Sequence, residues 1–128
     1  MSDKLRFGVI GTSSMNIFHI MSINSHPHAE VIAVCGRNAE KAQKVAHEHG
    51  ISHIYTDYQD LIALNTLDAV VVGTPDYLHH EMVLRSAEAG LHIVCEKPVA
   101  QTLDQALEML QTTSGKMSIC RRTSRAAL

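Results

Sequence analysis

The sequence predicts an α/β domain built on a doubly wound parallel sheet, and three observations carry that prediction. Four short apolar runs, LRFGVI, VIAVCG, DAVVVG and LHIVCE, recur along the chain. Each is rich in valine or isoleucine and apolar on both alternating faces, as a strand covered on two sides must be. Between the runs lie capped segments of helical period, and repeated strand–helix–strand units with right-handed crossovers wind a parallel sheet in both directions.

LRFGVI is the first strand and runs into Gly11-Thr12-Ser13-Ser14, where a helix begins. VIAVCG is the second. Residues 38–49 form the next helix: Asn38 is the N-cap, Ala42, Val45 and Ala46 make its apolar stripe, and Gly50 suits the left-handed residue that ends it. A short third strand is expected at residues 53–55, followed by a helix capped by Asp57 and reaching Leu64. DAVVVG is the fourth strand, and a helix over residues 77–89 stops at Gly90. LHIVCE is the fifth. Thr102 and Gln105 make a T-x-x-Q capping box ahead of the apolar residues Ala106, Leu107 and Leu110. After Thr112 the pattern degrades. Residues 117–120 are the one stretch left that can form a last strand, and RRTSRAAL offers little to bury.

With 128 residues, 45% of them hydrophobic and 19% charged, the chain fits one globular domain. A domain of that size removes roughly two-thirds of its unfolded surface from water. The formal net charge of -2 gives no reason to expect nucleic acid or a membrane surface as a partner, although the end of the chain is locally basic. No apolar run approaches the roughly 18 residues of a membrane span. Cys35, Cys95 and Cys120 are odd in number, and the first two sit inside strands, so neither a disulfide framework nor a zinc pattern follows. A reducing, cytoplasmic setting is the expectation.

In such a sheet, ligands bind beyond the carboxyl ends of the strands, near the point where strand order reverses. The first of those ends, G-x-S-x-x-N, places Ser13 and Asn16 where a glycine fingerprint has glycines. It reads either as a plain strand-to-helix turn or as a pyrophosphate site in which backbone N–H groups and the Ser13 hydroxyl serve the phosphate. After the second strand, Gly36 stands where a carboxylate would bind the ribose of NAD. Arg37 beside it can pair with a 2′-phosphate or stack on adenine, which favours NADP over NAD, or it is a solvated arginine opening a helix. Lys97, between Glu96 and Pro98, follows the fifth strand. Partial burial would let it exchange protons or hold a substrate hydroxyl, with Glu96 orienting it.

The stretch AVVVGTPDYLHHEMVLRSAEAGLHIVCEKPVAQTLDQALEML, with the opening turn and EVIAVCGRNAEKAQKVA, resembles the N-terminal domain of the Gfo/Idh/MocA oxidoreductases. The resemblance covers roughly residues 4–112, and its most diagnostic part is TP-x-x-x-H followed by EKP. It implies a Rossmann-type domain, and with the loss of pattern after Thr112 the division expected is that domain over residues 1–115 and a poorly patterned basic tail over 116–128. It also implies that Gly11, Thr12, Ser13, Ser14 and Met15 hold the pyrophosphate and that Arg37 and Asn38 lie near the adenosine ribose. Thr74, Pro75 and His79 would line the cofactor channel, and Glu96 and Lys97 would contact the nicotinamide ribose and the reacting carbon. In the family the lysine relays a proton while hydride passes between the nicotinamide of NADP or NAD and a sugar or polyol; Lys97 is therefore the catalytic candidate.

Family members continue into a substrate domain that this sequence lacks, and GKMSICRRTSRAAL, which does not resemble their continuation, would suit a truncated product. The expectation is a cofactor-binding domain that is not catalytically competent alone. A non-catalytic nucleotide-binding module and a defective fragment are the alternatives, and the oligomeric state is open. Nine histidines suggest no metal site: His26 and His28 flank Pro27, His47 and His49 point to different sides of a helix, and His79-His80-Glu81 has the wrong spacing. They are expected at the surface, His79 excepted on the family resemblance.

Overall fold

A computed structural model of the chain describes residues 4–119. Six strands form one parallel sheet: β1 (Leu5–Ile10), β2 (Ala29–Cys35), β3 (His53–Tyr55), β4 (Ala69–Val72), β5 (His92–Cys95) and β6 (Met117–Ile119). Their order across the sheet is β3-β2-β1-β4-β5-β6, so the winding reverses between β1 and β4. Five helices connect them: α1 (Ser14–Ser25), α2 (Ala39–His49), α3 (Tyr58–Ile62), α4 (His79–Glu88) and α5 (Leu103–Thr113). None of the described helices is long and apolar enough to cross a membrane.

The unbroken apolar runs follow from cover on both faces. Val9 and its neighbours Val34 and Val71 face α1 and α2, where they meet Ile20, Val45 and Ala46. Ile10, Val70, Val72 and Ile93 point the other way, into a cluster with Leu61 of α3, Val83 of α4 and Met109 of α5. Each fully buried side chain of this kind contributes about 1.5–3 kcal/mol.

The caps form as their chemistry dictates. Asn38 accepts from the Lys41 N–H at 3.0 Å, Asp57 from Gln59 at 2.9 Å and Thr102 from Gln105 at 3.1 Å. Gly50 takes φ +68°, in the left-handed region that favours glycine. The return bond of the capping box is displaced by one residue: the Gln105 carbonyl accepts from Gln101, not from Thr102.

Two boundaries differ from the sequence pattern. Helix α3 ends before the expected Leu64, because the Leu64 N–H turns back to the Leu61 carbonyl. Helix α4 begins at His79, behind a single 3-10 turn over Asp76–Leu78. The last strand expected over residues 117–120 forms as β6, paired to β5; Cys120 and the rest of the tail lie outside the described residues. On α5 the side chains that pack inward are Met109 and Thr113, whereas Leu103, Leu107 and Leu110 are exposed.

Candidate functional site

A cleft of about 780 Å³ opens across the carboxyl ends of β1, β2, β3 and β4, over the point where the winding reverses. Of the residues singled out in the sequence, Gly11, Thr12, Ser13, Arg37, Asn38, Thr74 and Pro75 line it. Lys41, Asp57, Tyr58 and Tyr77 line it too and were not singled out as ligand contacts. A smaller hollow of about 280 Å³ lies at the opposite, amino ends of the strands, where no helix start points.

Helix α1 begins at one wall of the cleft. Ser13 is its N-cap residue, yet no side chain caps it and its first turn holds no acid, unlike α2, α3 and α5. Its leading N–H groups, at Ser14 and Met15, are the ones a helix leaves without internal partners, and both residues are exposed. An uncapped helix start in a cleft is an anion site by construction.

Gly11 precedes that start with φ +118°, and a Cβ there would lie 2.7 Å from the Gly73 carbonyl oxygen. Asn16, where the fingerprint has glycine, does not project at the phosphate position. It is 1% exposed and lies sideways, donating from Nδ2 to the Ser13 hydroxyl oxygen at 3.0 Å and to the Gly73 carbonyl at 2.7 Å. Because Ser13 accepts that bond, its own hydroxyl proton is left to donate.

At the far wall, a Cβ on Gly36 would stand 2.8 Å from the Thr12 methyl group. Packing therefore excludes an acidic side chain there unless Thr12 moves. Arg37 and Lys41, both exposed, put two cations on this wall; the Asp57 carboxylate, also on it, caps α3. Tyr58 donates its hydroxyl to Glu81 at 2.6 Å, and burial with that carboxylate pushes its ionisation far up. Cys35 lines the floor, but its thiol is pushed up to about 11, first by burial and then by Asp57 and Asp60. It is not poised as a nucleophile.

Five candidates lie off the cleft lining: Ser14 and Met15 at the start of α1, and His79, Glu96 and Lys97. His79 is 1% exposed and lies beneath the cleft: Nδ1 lies 2.9 Å from the Pro98 carbonyl and Nε2 2.7 Å from the Thr74 carbonyl. Glu96 is largely buried and pairs with His19 of α1. Lys97 is exposed beside the cis Lys97-Pro98 bond, so the partial burial considered for it is not found among the described residues. His19 departs from the surface placement expected of the histidines, since its side chain is only 16% exposed. No signal in the sequence links it to Glu96, which is 77 residues away. Among the described residues no cluster of three metal-ligating side chains occurs.

A reversed parallel sheet with a cleft over its switch point and an uncapped helix start in that cleft defines a dinucleotide-binding domain. The comparisons place it further: the family model for Gfo/Idh/MocA, described as oxidoreductase family, NAD-binding Rossmann fold, matches residues 5–122, and the chain belongs to that family. It is 34% identical over 110 residues to the uncharacterized oxidoreductase YrbE of Bacillus subtilis, a match covering 86% of this chain and 32% of that protein. It is also 34% identical over 101 residues to a D-xylose 1-dehydrogenase (NADP(+)) of Haloferax volcanii, covering 79% and 31% of the two chains. The WlbA dehydrogenase of Bordetella pertussis, solved with NADH and UDP-GlcNAcA, superposes with a TM-score of 0.86 at 29% identity, over 94% of this chain and 39% of that one. The chain thus spans about a third of the length of the curated relatives it matches.

Proposed function

We propose that this chain is the NADP(H)-binding domain of an oxidoreductase that moves a hydride between the nicotinamide and a sugar or polyol. The observation that carries the choice of cofactor is the wall beyond β2, where Arg37 and Lys41 stand at the cleft and Thr12 packs where an acid at Gly36 would have to begin. A carboxylate there would serve the ribose hydroxyls of NAD and repel a 2′-phosphate. Two cations attract it instead.

In this reading the start of α1, with Gly11 to Met15, holds the pyrophosphate. Arg37 and Asn38 take the adenosine ribose, with Lys41 and the Tyr58 ring beside them. Thr74 and Pro75 shape the middle of the channel, and Glu96 and Lys97 stand at the nicotinamide end. The dinucleotide supplies the carbon that gives or takes hydride. Lys97 holds the substrate hydroxyl and exchanges its proton, a task for which the remainder of a longer protein would have to cover its exposed ammonium. The reading includes a cytoplasmic setting, in keeping with two unpaired, buried thiols.

Titration of the purified chain with NADPH and NADH, followed by fluorescence or calorimetry, tests it. NADPH should bind about tenfold or more tightly than NADH, and Arg37→Asp should cost NADPH about 10–100-fold, the worth of a charge-assisted phosphate contact, with little effect on NADH. Tight NADH binding that ignores Arg37 would reject the NADP assignment.

A further inference from the structure

The turn after β5 is held from two sides by histidines of different helices. His19 of α1 pairs through Nε2 with Glu96 Oε2, and both side chains are mostly buried, at 16% and 15% exposed. His79, the first residue of α4, meets the Pro98 carbonyl with one ring nitrogen and the Thr74 carbonyl with the other. The Glu96 N–H is fixed as well, on the Val72 carbonyl at 3.0 Å. Lys97 is the exposed residue between these anchors.

This arrangement has a direction. A dinucleotide with its 2′-phosphate end at Arg37 and its pyrophosphate at the start of α1 has its remaining half over β4 and β5. His79 joins the two segments on that side, because Thr74 lines the cleft and Pro98 closes the turn.

We propose that His19 and His79 are positioning residues that brace the Glu96-Lys97-Pro98 turn from α1 and α4 and so present Lys97 to the nicotinamide half of the cleft. The inference rests on the cofactor reading above. His19 acts through Glu96, and His79 acts through the two backbone carbonyls; neither touches the reacting atoms.

The test uses the whole chain, two nucleotide probes and one measurement that needs no nucleotide. His19→Ala and His79→Gln should speed amide hydrogen exchange at Glu96 and Lys97 about tenfold, the loss of one well-formed hydrogen bond, and leave exchange in β1 and β2 unchanged. Both variants should bind NADPH about fivefold or more weakly, while 2′,5′-ADP, which ends at the adenosine half, keeps its affinity. His19→Gln, whose amide can still donate to Glu96, should recover part of the NADPH loss.

Unchanged exchange at Glu96 and Lys97 in a folded His19→Ala protein overturns the brace whether or not nucleotide binds. Equal losses of NADPH and 2′,5′-ADP overturn its direction and leave a merely structural role. A wild type that binds neither nucleotide, even with the exchange response intact, rejects the cofactor reading, and the positioning role falls with it.

Discussion

The Asn16 side-chain amide donates to the Gly73 carbonyl oxygen at 2.7 Å and joins the first turn of α1 to the end of β4, 57 residues away. A Cβ on Gly73 would stand 1.7 Å from Asn16 Oδ1, so no side chain fits at 73 while Asn16 holds this place. Gly73→Ala should destabilise the domain by about 1–3 kcal/mol, as overpacking does. Asn16→Ala should cost a similar amount, about 1–3 kcal/mol, by leaving a buried carbonyl without its donor. The double variant should be more stable than the sum by about 1 kcal/mol or more, because removing the amide makes room for the new methyl group. Urea unfolding of the four proteins measures this, and strict additivity would show that the contact is not made.

Burial sets the alkaline limit of the fold. The Cys35 thiol is pushed up to about 11 by burial and two nearby aspartates, and Cys95 to about 12 by burial and Glu96. Both hold their protons more tightly folded than unfolded. Their contribution to stability is therefore complete below the unfolded thiol value near 9.0 and is lost as pH rises through 11 and 12. Urea midpoints should fall above that lower value, and Cys35→Ala with Cys95→Ala should flatten the decline. In a Cys120→Ser background at mild alkaline pH, the native protein should react slowly with a thiol reagent and the unfolded protein fast.

On α5, solvent exposure outweighs residue type. Leu107 is 47% exposed and Met109 fully buried. Leu107→Ser should change stability by less than about 0.5 kcal/mol, whereas Met109→Ala should cost about 2–5 kcal/mol through the cavity it leaves. Thermal and urea unfolding of the pair checks the contrast, and a larger loss at Leu107 would mean that this face is covered in the folded chain.

The sequence by itself determined the sheet, the order of its elements, three of the helix caps and the cofactor family. Those features are local or periodic: a run of valines, an Asn38 before a helical stripe, a Gly50 behind it, a TP-x-x-x-H and an EKP. Tertiary structure decided the rest, because it depends on side chains that meet across strand ends far apart in the chain. It turned Asn16 from a broken fingerprint into a lock on Gly73 and set the buried His79 between the carbonyls of Thr74 and Pro98. Lys41 and Tyr58 reached the cleft only through the packing of α2 and α3, and Thr12 came to bar an acid at Gly36 only because β1 and β2 lie side by side. Periodicity records which face of an element is buried, and no local pattern records which distant residue it is buried against.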